Sequence, residues 1–274
     1  MTRVVVTGAA GNLGVKTMAE LARSGGSSAV GIDARVDTSL GHDVVVADLA
    51  VYDSTWVSTF RGADVVVHLA ADSSPAATWS VVQRANVDVS LNVLRAVEEC
   101  GVGRIVFASS NWVLAGYRFE DELLTPATPP RPVNPYGYSK ATTERDCAAL
   151  HERTGVEAVA LRIGYCQRGD NLAGPHMAFG RWGQEMWLSN DDWGQAITAA
   201  CTQPFEGFEI VNLTSANTGM RWDLTDTERV LGFRPRSHHT PHLTLRRRIE
   251  ERVARLRDAI AGPLVDPTGR TAHW

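Results

Sequence analysis

The chain opens with Arg3-Val4-Val5-Val6-Thr7-Gly8-Ala9-Ala10-Gly11-Asn12-Leu13-Gly14, and its architecture follows from this segment. An apolar run meets three glycines at spacing three, and Val15, Met18, Ala19, Leu21 and Ala22 then recur at helical spacing. This describes a strand, a tight turn and a helix. Glycine lets the backbone approach a phosphate, and the helix N-terminus presents its amides to it, so the unit suits a pyrophosphate. A further strand, Ala29-Val30-Gly31-Ile32, ends at Asp33, where a carboxylate accepts hydrogen bonds from an adenosine ribose. That favours NAD, while Arg35 keeps NADP open.

Outward from this unit, strands and helices alternate without internal repeats or low-complexity linkers. Apolar strands are predicted at 3–7, 29–32, 43–47, 64–69, 104–108, 157–163 and 208–213, and helices near 12–23, 54–60, 78–100 and 136–154. The fold class is therefore α/β, a doubly wound parallel sheet covered on both faces. From residue 165 the pattern loosens into a Gly/Trp/Asn-rich region broken by one strand, as expected of a small C-terminal substrate lobe. Leu245, Ile249, Val253, Leu256 and Ile260 then mark a further helix with arginines between them, read as packing on the body or as a subunit contact.

The chemistry concentrates in Tyr136-Gly137-Tyr138-Ser139-Lys140, which places one of only two lysines (Lys16 and Lys140) four residues after a tyrosine. On a helix, positions i and i+4 share a face. An ammonium there lowers the pKa of the phenol and lets it move a proton near neutral pH, which is oxidoreductase chemistry in outline. The segment 119–135, with Pro126, Pro129, Pro130, Pro132 and Pro135, is read as a loop that delivers Tyr136 to the start of its helix.

Composition bounds the alternatives. At 274 residues and 44% hydrophobic content the chain can bury a full core, and a doubly wound sheet of this size commonly stays one domain. A net charge of −4 gives no reason to invoke nucleic acid. No apolar run approaches the ~20 residues that span a bilayer, and the N-terminus reads as a strand and not a signal peptide, so a cytoplasmic location without membrane contact is expected. Cys100, Cys147, Cys166 and Cys201 lack CxxC or zinc-like spacing and are read as reduced structural thiols.

Together the motifs resemble the extended short-chain dehydrogenase/reductase family, the NAD-dependent epimerase/dehydratase group. The resemblance rests on TGAAGNLG at the first turn, Asp48-Leu49, His68-Leu69-Ala70-Ala71, Asn86, Phe107-Ala108-Ser109-Ser110 and the Tyr136/Lys140 pair, in the family's order over roughly residues 1–235. Within it, PYGYSK, Arg162-Ile163-Gly164 and Gly183-Gln184-Glu185-Met186-Trp187-Leu188-Ser189 with Asp191-Asp192 look most like uronate dehydrogenases and the short-chain type of glucose-6-phosphate dehydrogenase. Those relatives oxidise the anomeric hydroxyl of a small sugar to a lactone with NAD.

The resemblance implies a Rossmann core at about 1–164 and 208–213, a substrate lobe at about 165–207 and 214–237, and a helical extension at 238–274. It assigns catalysis to Ser110, Tyr136, Lys140 and Asn86. Tyr136 takes the substrate proton, Ser110 holds the reacting oxygen, and Asn86 orders the helix and water; Ser109 is the alternative serine, otherwise a structural strand-end residue. Cofactor contacts fall to Gly8, Ala10, Gly11, Asn12, Leu13, Gly14, Asp33, Ala34, Arg35, Asp48, Leu49, Leu69, Ala70, Ala71, Asn86, Ala108, Tyr136, Lys140 and Ile163. Substrate contacts fall to Asp72, Ser73, Ser110, Asn111, Trp112, Tyr165, Arg181, Trp182 and Trp187. No metal is implied, and the partner classes are a small-molecule substrate and a second copy of the chain in a homodimer.

Two departures bear on the substrate. The family helix usually reads Asn-Val-x-Gly-Thr, whereas here it is Asn86-Val87-Asp88-Val89-Ser90, which alters how closely the helix packs. Relatives carry an anion-binding arginine where this chain has Trp182, with Arg181 one residue earlier. A planar apolar ring suits a neutral sugar or base better than an acid. His238-His239 with His242 is read as a solvated loop and not a metal cluster, and Arg246-Arg247-Arg248 as a charged helix face. The expected activity is NAD-dependent transfer of hydride between nicotinamide and a sugar-like or polyol carbon. Rival readings are a nucleotide-sugar epimerase or dehydratase, and a non-catalytic dinucleotide sensor.

Overall fold

The computed structural model describes residues 1–35 and 44–261. Strand β1 (Thr2–Thr7) lies inside a seven-stranded parallel sheet, followed by helix α1 (Asn12–Ser24) and strands β2 (Ser27–Asp33) and β3 (Val44–Val46). Asp43, the first residue of the expected third strand, lies outside the described residues. Then come α2 (Ser54–Val57), β4 (Val65–His68), α3 (Trp79–Val82), α4 (Val89–Cys100), β5 (Arg104–Ser110), α5 (Pro135–Thr154) and β6 (Glu157–Ile163). Helices α6 (Gly180–Glu185) and α7 (Asn190–Thr202), strand β7 (Phe208–Leu213), α8 (Thr225–Leu231) and α9 (Leu245–Ala261) complete the described chain.

The sheet order is β3-β2-β1-β4-β5-β6-β7. Val4 stands in register with Ala29 of β2 on one side and Val65 of β4 on the other. The chain leaves β1 in opposite directions, and this switch point opens a crevice at the carboxyl ends of the strands. Residues alternate along each strand, so Val4 and Val6 face α1, α7 and α8, whereas Val5 faces α2, α4 and α5. Burial on both faces explains why these strands read as continuous apolar runs.

Three elements differ from expectation for local reasons. The stretch 78–100 is broken, with a π-helical turn at Gln83–Asp88 between α3 and α4. The end of 54–60 tightens into a 3-10 turn at Ser58–Phe60. In the region beyond 165, α6, α7 and α8 form although no strong periodicity announces them. Trp193, Ala196, Ile197 and Ala200 put α7 into the same core as β6 and β7, so it belongs to the sheet's helical layer and not to a separate lobe. A third apolar cluster stands over the carboxyl end of the sheet and contains Trp112, Leu124, Tyr136, Trp182, Met186 and Trp222. Helix α9 touches the body at α6 while Leu245, Ile249, Val253, Leu256 and Ile260 stay exposed. Among the described residues no helix is long and apolar enough to cross a membrane.

Candidate active site

At the β1–α1 turn, Gly8 adopts φ 73°, and a Cβ there would lie 2.7 Å from the Ala70 amide nitrogen. A side chain at Gly14 would meet the Gly8 carbonyl at 2.0 Å, so helix, turn and the end of β4 close on one another only through glycine. Helix α1 has no side-chain cap and no acid in its first turn, leaving its leading amides for an anion. Beside it runs a cleft of about 510 Å³ lined by Gly8, Gly11, Asp33, Ala34, Arg35, Asp48, Leu49, Leu69, Ala70, Ala71 and Asp72. Asp33 accepts from the Ala10 and Arg35 amides (both 3.0 Å), which fixes its carboxylate toward the cleft floor. The exposed Arg35 side chain reaches it only at 3.9 Å. These features fit a dinucleotide with a free ribose diol. Asn12 and Leu13 sit in α1 outside the cleft lining; the Asn12 amide group donates to the Cys166 carbonyl (3.2 Å). Ala108 and Ile163, at the ends of β5 and β6, belong to the core on the α1 side.

At the carboxyl end of β5 the two serines have different partners. Ser109 Oγ donates to Glu144 Oε1 (2.5 Å), and Glu144 is held by two bonds of 2.9 Å from the Arg162 guanidinium. Ser109 is thus part of a buried structural triad joining β5, α5 and β6. Ser110 points the other way; its Oγ accepts from the Trp112 amide (3.2 Å), starting the 3-10 turn Asn111–Tyr117 and leaving its hydrogen to donate. Helix α5 begins at Pro135 with Asn134 as cap, whose Oδ1 accepts from the Gly137 amide (2.8 Å). This places Tyr136 and Lys140, both buried, beside Ser110.

Electrostatics in this pocket differ from the sequence expectation. Burial pushes the Tyr136 phenol up to about 12, with the Asp72 carboxylate adding to the rise and the Ser110 hydroxyl opposing it. Burial also lowers Lys140 to about 8, against the pull of Cys147 and Glu144. Its ammonium lies over the rings of Phe107 (4.9 Å) and Tyr136 (5.7 Å) and makes no hydrogen bond to a described residue. The lysine therefore does not by itself depress the tyrosine; its ammonium stands over the ring faces and makes no hydrogen bond to the phenol oxygen. Asn86, turned inward by the π-helical turn, accepts from the Asp72 amide (2.8 Å) and donates to the Asp72 carbonyl and Ser139 Oγ (both 3.1 Å). It pins the cleft edge to the helix that carries Tyr136.

Of the expected substrate residues, Asn111 and Trp112 follow Ser110 directly. Both amide atoms of Asn111 are buried without a partner among the described residues, as is the Trp182 indole nitrogen. Trp112 and Trp182 meet edge to face at 5.3 Å, and Phe179 meets Trp112 at 5.0 Å. Trp182 is both core and cavity wall: it packs with Tyr136 and also lines a chamber of about 770 Å³ with Phe179, Arg181 and Glu185. Tyr165 packs on the same cluster. Asp72 and Ser73 lie at the cleft edge, where the Asp72 carboxylate accepts from the Ser74 amide (2.8 Å). Trp187 stands apart; its indole donates to the Asn171 carbonyl (2.9 Å), and it lines neither cavity. His239 is bound to Gln184 (2.9 Å), and no group of His, Cys, Asp or Glu among the described residues can hold a metal ion.

Residues 4–178 match the NAD dependent epimerase/dehydratase family. The chain belongs to this family. L-arabinose 1-dehydrogenase (NAD(P)(+)) of Haloferax volcanii is 34% identical, covering 87% of this chain and 98% of its own. Uronate dehydrogenase of Agrobacterium fabrum is 32% identical, covering 87% of this chain and 86% of its own. A solved mutant of uronate dehydrogenase from Agrobacterium tumefaciens complexed with NAD matches with a TM-score of 0.72 at 29% identity, covering 87% of this chain and 86% of that one.

Against this family background, the structure adds residues that the sequence reading missed. Ser80, Val81, Arg84, Ala85 and Val89 line the dinucleotide cleft, and Arg84 pairs with Asp48. Their spacing on one helical face was a usable signal. Val89, where the family helix has glycine, is buried against the core and fills the cleft wall. Phe179, Glu185 and Arg221 line the chamber without any spacing that announces them.

Proposed function

We propose that this chain is an NAD-dependent dehydrogenase that oxidises a hydroxyl-bearing carbon of a small sugar-like substrate. The observation that carries this reading is the convergence of Ser110, Tyr136 and Lys140 at the carboxyl edge of β5, where the dinucleotide cleft ends at Asp72 and the aromatic chamber begins at Trp112. Gly8, Gly11 and the α1 amides would hold the pyrophosphate, Asp33 the adenosine ribose, and Leu49, Ala70 and Ala71 the faces of the bound cofactor. NAD, when bound, supplies the hydride acceptor and a positive ring near the phenol.

Tyr136 removes the proton of the substrate hydroxyl, and Ser110, whose hydroxyl faces the phenol, would hold that oxygen when substrate is bound. Lys140, still an ammonium below about pH 8, would donate to a ribose hydroxyl and favour the phenolate when the cleft fills. Asn86 keeps Asp72 and Ser139 fixed while this happens. Asn111, which follows Ser110 and has both amide atoms buried without a partner among the described residues, would bind a neighbouring hydroxyl. The sugar class is supported by the arabinose and uronate dehydrogenase relatives, and Trp182 in place of the relatives' arginine favours an uncharged member of it.

The test is absorbance of reduced nicotinamide during a screen of aldoses, polyols and uronates. A dehydrogenase forms one equivalent of NADH per substrate consumed. Sugar isomerisation with no net NADH would instead support the epimerase reading.

A further inference from the structure

The chamber beyond Trp182 contains a group that the catalytic assignment does not use. Glu185, at the end of α6, is 93% buried by its relative exposure of 7%, yet its carboxylate makes no hydrogen bond with any described residue. Its nearest partner is Arg181, in a loose ion pair of 3.9 Å. A carboxylate left in this condition costs free energy that water or a ligand must offset. Its surroundings are Gly219 and Arg221 on one side and Glu251 and Arg255 of α9 on the other.

Four of the arginines that line the chamber have partners other than Glu185, while Arg181 faces it. Arg221 donates to the carbonyls of Tyr117 (3.1 Å) and Arg118 (3.2 Å), Arg255 donates to the Phe119 carbonyl (3.2 Å), and Arg246 and Arg247 bind Glu250. Helix α9 closes the chamber from outside, with Ile249 and Val253 in its wall and Glu251 accepting from the Arg181 amide (3.4 Å). The inner end thus presents aromatic faces from Trp112, Phe179 and Trp182 and the Glu185 carboxyl, which makes no hydrogen bond with a described residue. Aromatic faces accept the C–H side of a pyranose or furanose ring, and a carboxylate accepts its hydroxyl hydrogens in charge-assisted bonds.

We propose that Glu185 is the specificity-determining residue of the substrate chamber, binding hydroxyls of an uncharged sugar and rejecting sugars that carry a carboxylate or phosphate at the same position. The proposal rests on the dehydrogenase reading for the placement of the reacting carbon, but binding to the chamber does not require turnover. Discrimination here is partly repulsive above about pH 7, to which burial pushes the Glu185 carboxyl: there an acid substrate would set two carboxylates together behind an aromatic wall.

The matched pair D-galactose and D-galacturonate, which differ only in oxidation at one carbon, tests it on wild type, Glu185→Gln and Glu185→Ala. Two measurements are made on the full chain: quenching of tryptophan fluorescence as each sugar is titrated, and NADH formation at saturating NAD. Wild type is expected to bind and oxidise galactose at least tenfold better than galacturonate. In both variants the dissociation constant and KM for galactose rise about tenfold with kcat changed less than threefold, and the preference over galacturonate narrows or reverses. A thermal melt shows that the variants are folded. Unchanged affinity for both sugars in folded variants overturns the proposal while leaving the dehydrogenase reading intact. A wild-type preference for galacturonate, or no binding of either sugar, also overturns it. If fluorescence shows the expected shift but no sugar yields NADH, the chamber assignment stands and the dehydrogenase reading falls.

Discussion

The two cavities, one lined by Gly8 and Asp33 and the other by Trp112 and Trp182, are built from opposite materials. The dinucleotide cleft is made of backbone and small residues from the first half of the chain: Gly8, Gly11, Ala70, Ala71 and the amides of one helix end. The aromatic chamber is made of large side chains from four separated segments, with Trp112, Phe179, Trp182, Arg221 and α9 around an acid that makes only a loose ion pair. A ligand that never changes is met by geometry that tolerates almost no substitution. A ligand that varies between relatives is met by side chains, and those can be exchanged without disturbing the turn chemistry of the sheet.

The largest effect should fall on the proton acceptor. Tyr136→Phe is expected to lower kcat by about 10²–10⁴-fold, the usual worth of a positioned acid or base, and to leave NAD affinity nearly unchanged. Retention of more than about a tenth of the turnover, measured at saturating substrate, would move the proton transfer to another group.

On the cleft side, Gly8→Ala places a Cβ 2.7 Å from Ala70 nitrogen on a backbone at φ 73°. Loss of stability of about 2 kcal/mol or more is expected, with loss of NAD binding. Urea melts and cofactor titration read both, and a neutral result would show that the turn is less rigid than its contacts imply. Asp33 should give NAD at least a tenfold advantage in kcat/KM over NADP, about 1.4 kcal/mol, through repulsion of the 2′-phosphate. Asp33→Asn narrows that ratio, and equal use of the two cofactors by the wild type would assign the ribose to Arg35.

The smallest effect is a stability signature of Lys140. Because burial lowers its pKa from 10.5 to about 8, the charged form opposes folding fully below about pH 8, and the penalty fades as pH rises toward 10.5. NAD-free Lys140→Met should therefore melt several degrees above wild type at pH 7, with the difference shrinking above pH 8. A difference independent of pH would mean that the ammonium is solvated, and the contrast between a tolerant and a strained side of the site would lose this support.

Much of the cleft was legible because its signals are local. Glycine spacing, a strand ending at Asp33 and an acid after the third strand act within a few residues of one another. The serines show where local signals stop. Ser109 and Ser110 are adjacent in sequence, but strand alternation sends one to Glu144 and Arg162 and the other to Tyr136. Trp187 shares the motif of Glu185, and only the fold shows that its indole donates to the Asn171 carbonyl. Helices α6 to α8 escaped because α6 and α8 are short and α7 is amphipathic only relative to a sheet formed by distant strands.

Sequence alone determined the doubly wound sheet, the dinucleotide turn and the Tyr136/Lys140 pair, since period, glycine placement and i,i+4 spacing are properties of contiguous chain. Only the tertiary structure decided the state of the phenol and the ammonium. Burial contributed by β5, α5 and the aromatic cluster drives Tyr136 up and Lys140 down, and no interval in the sequence encodes desolvation. The same holds for Glu185, whose isolation exists only after α6, the Gly219 loop and α9 have packed around it.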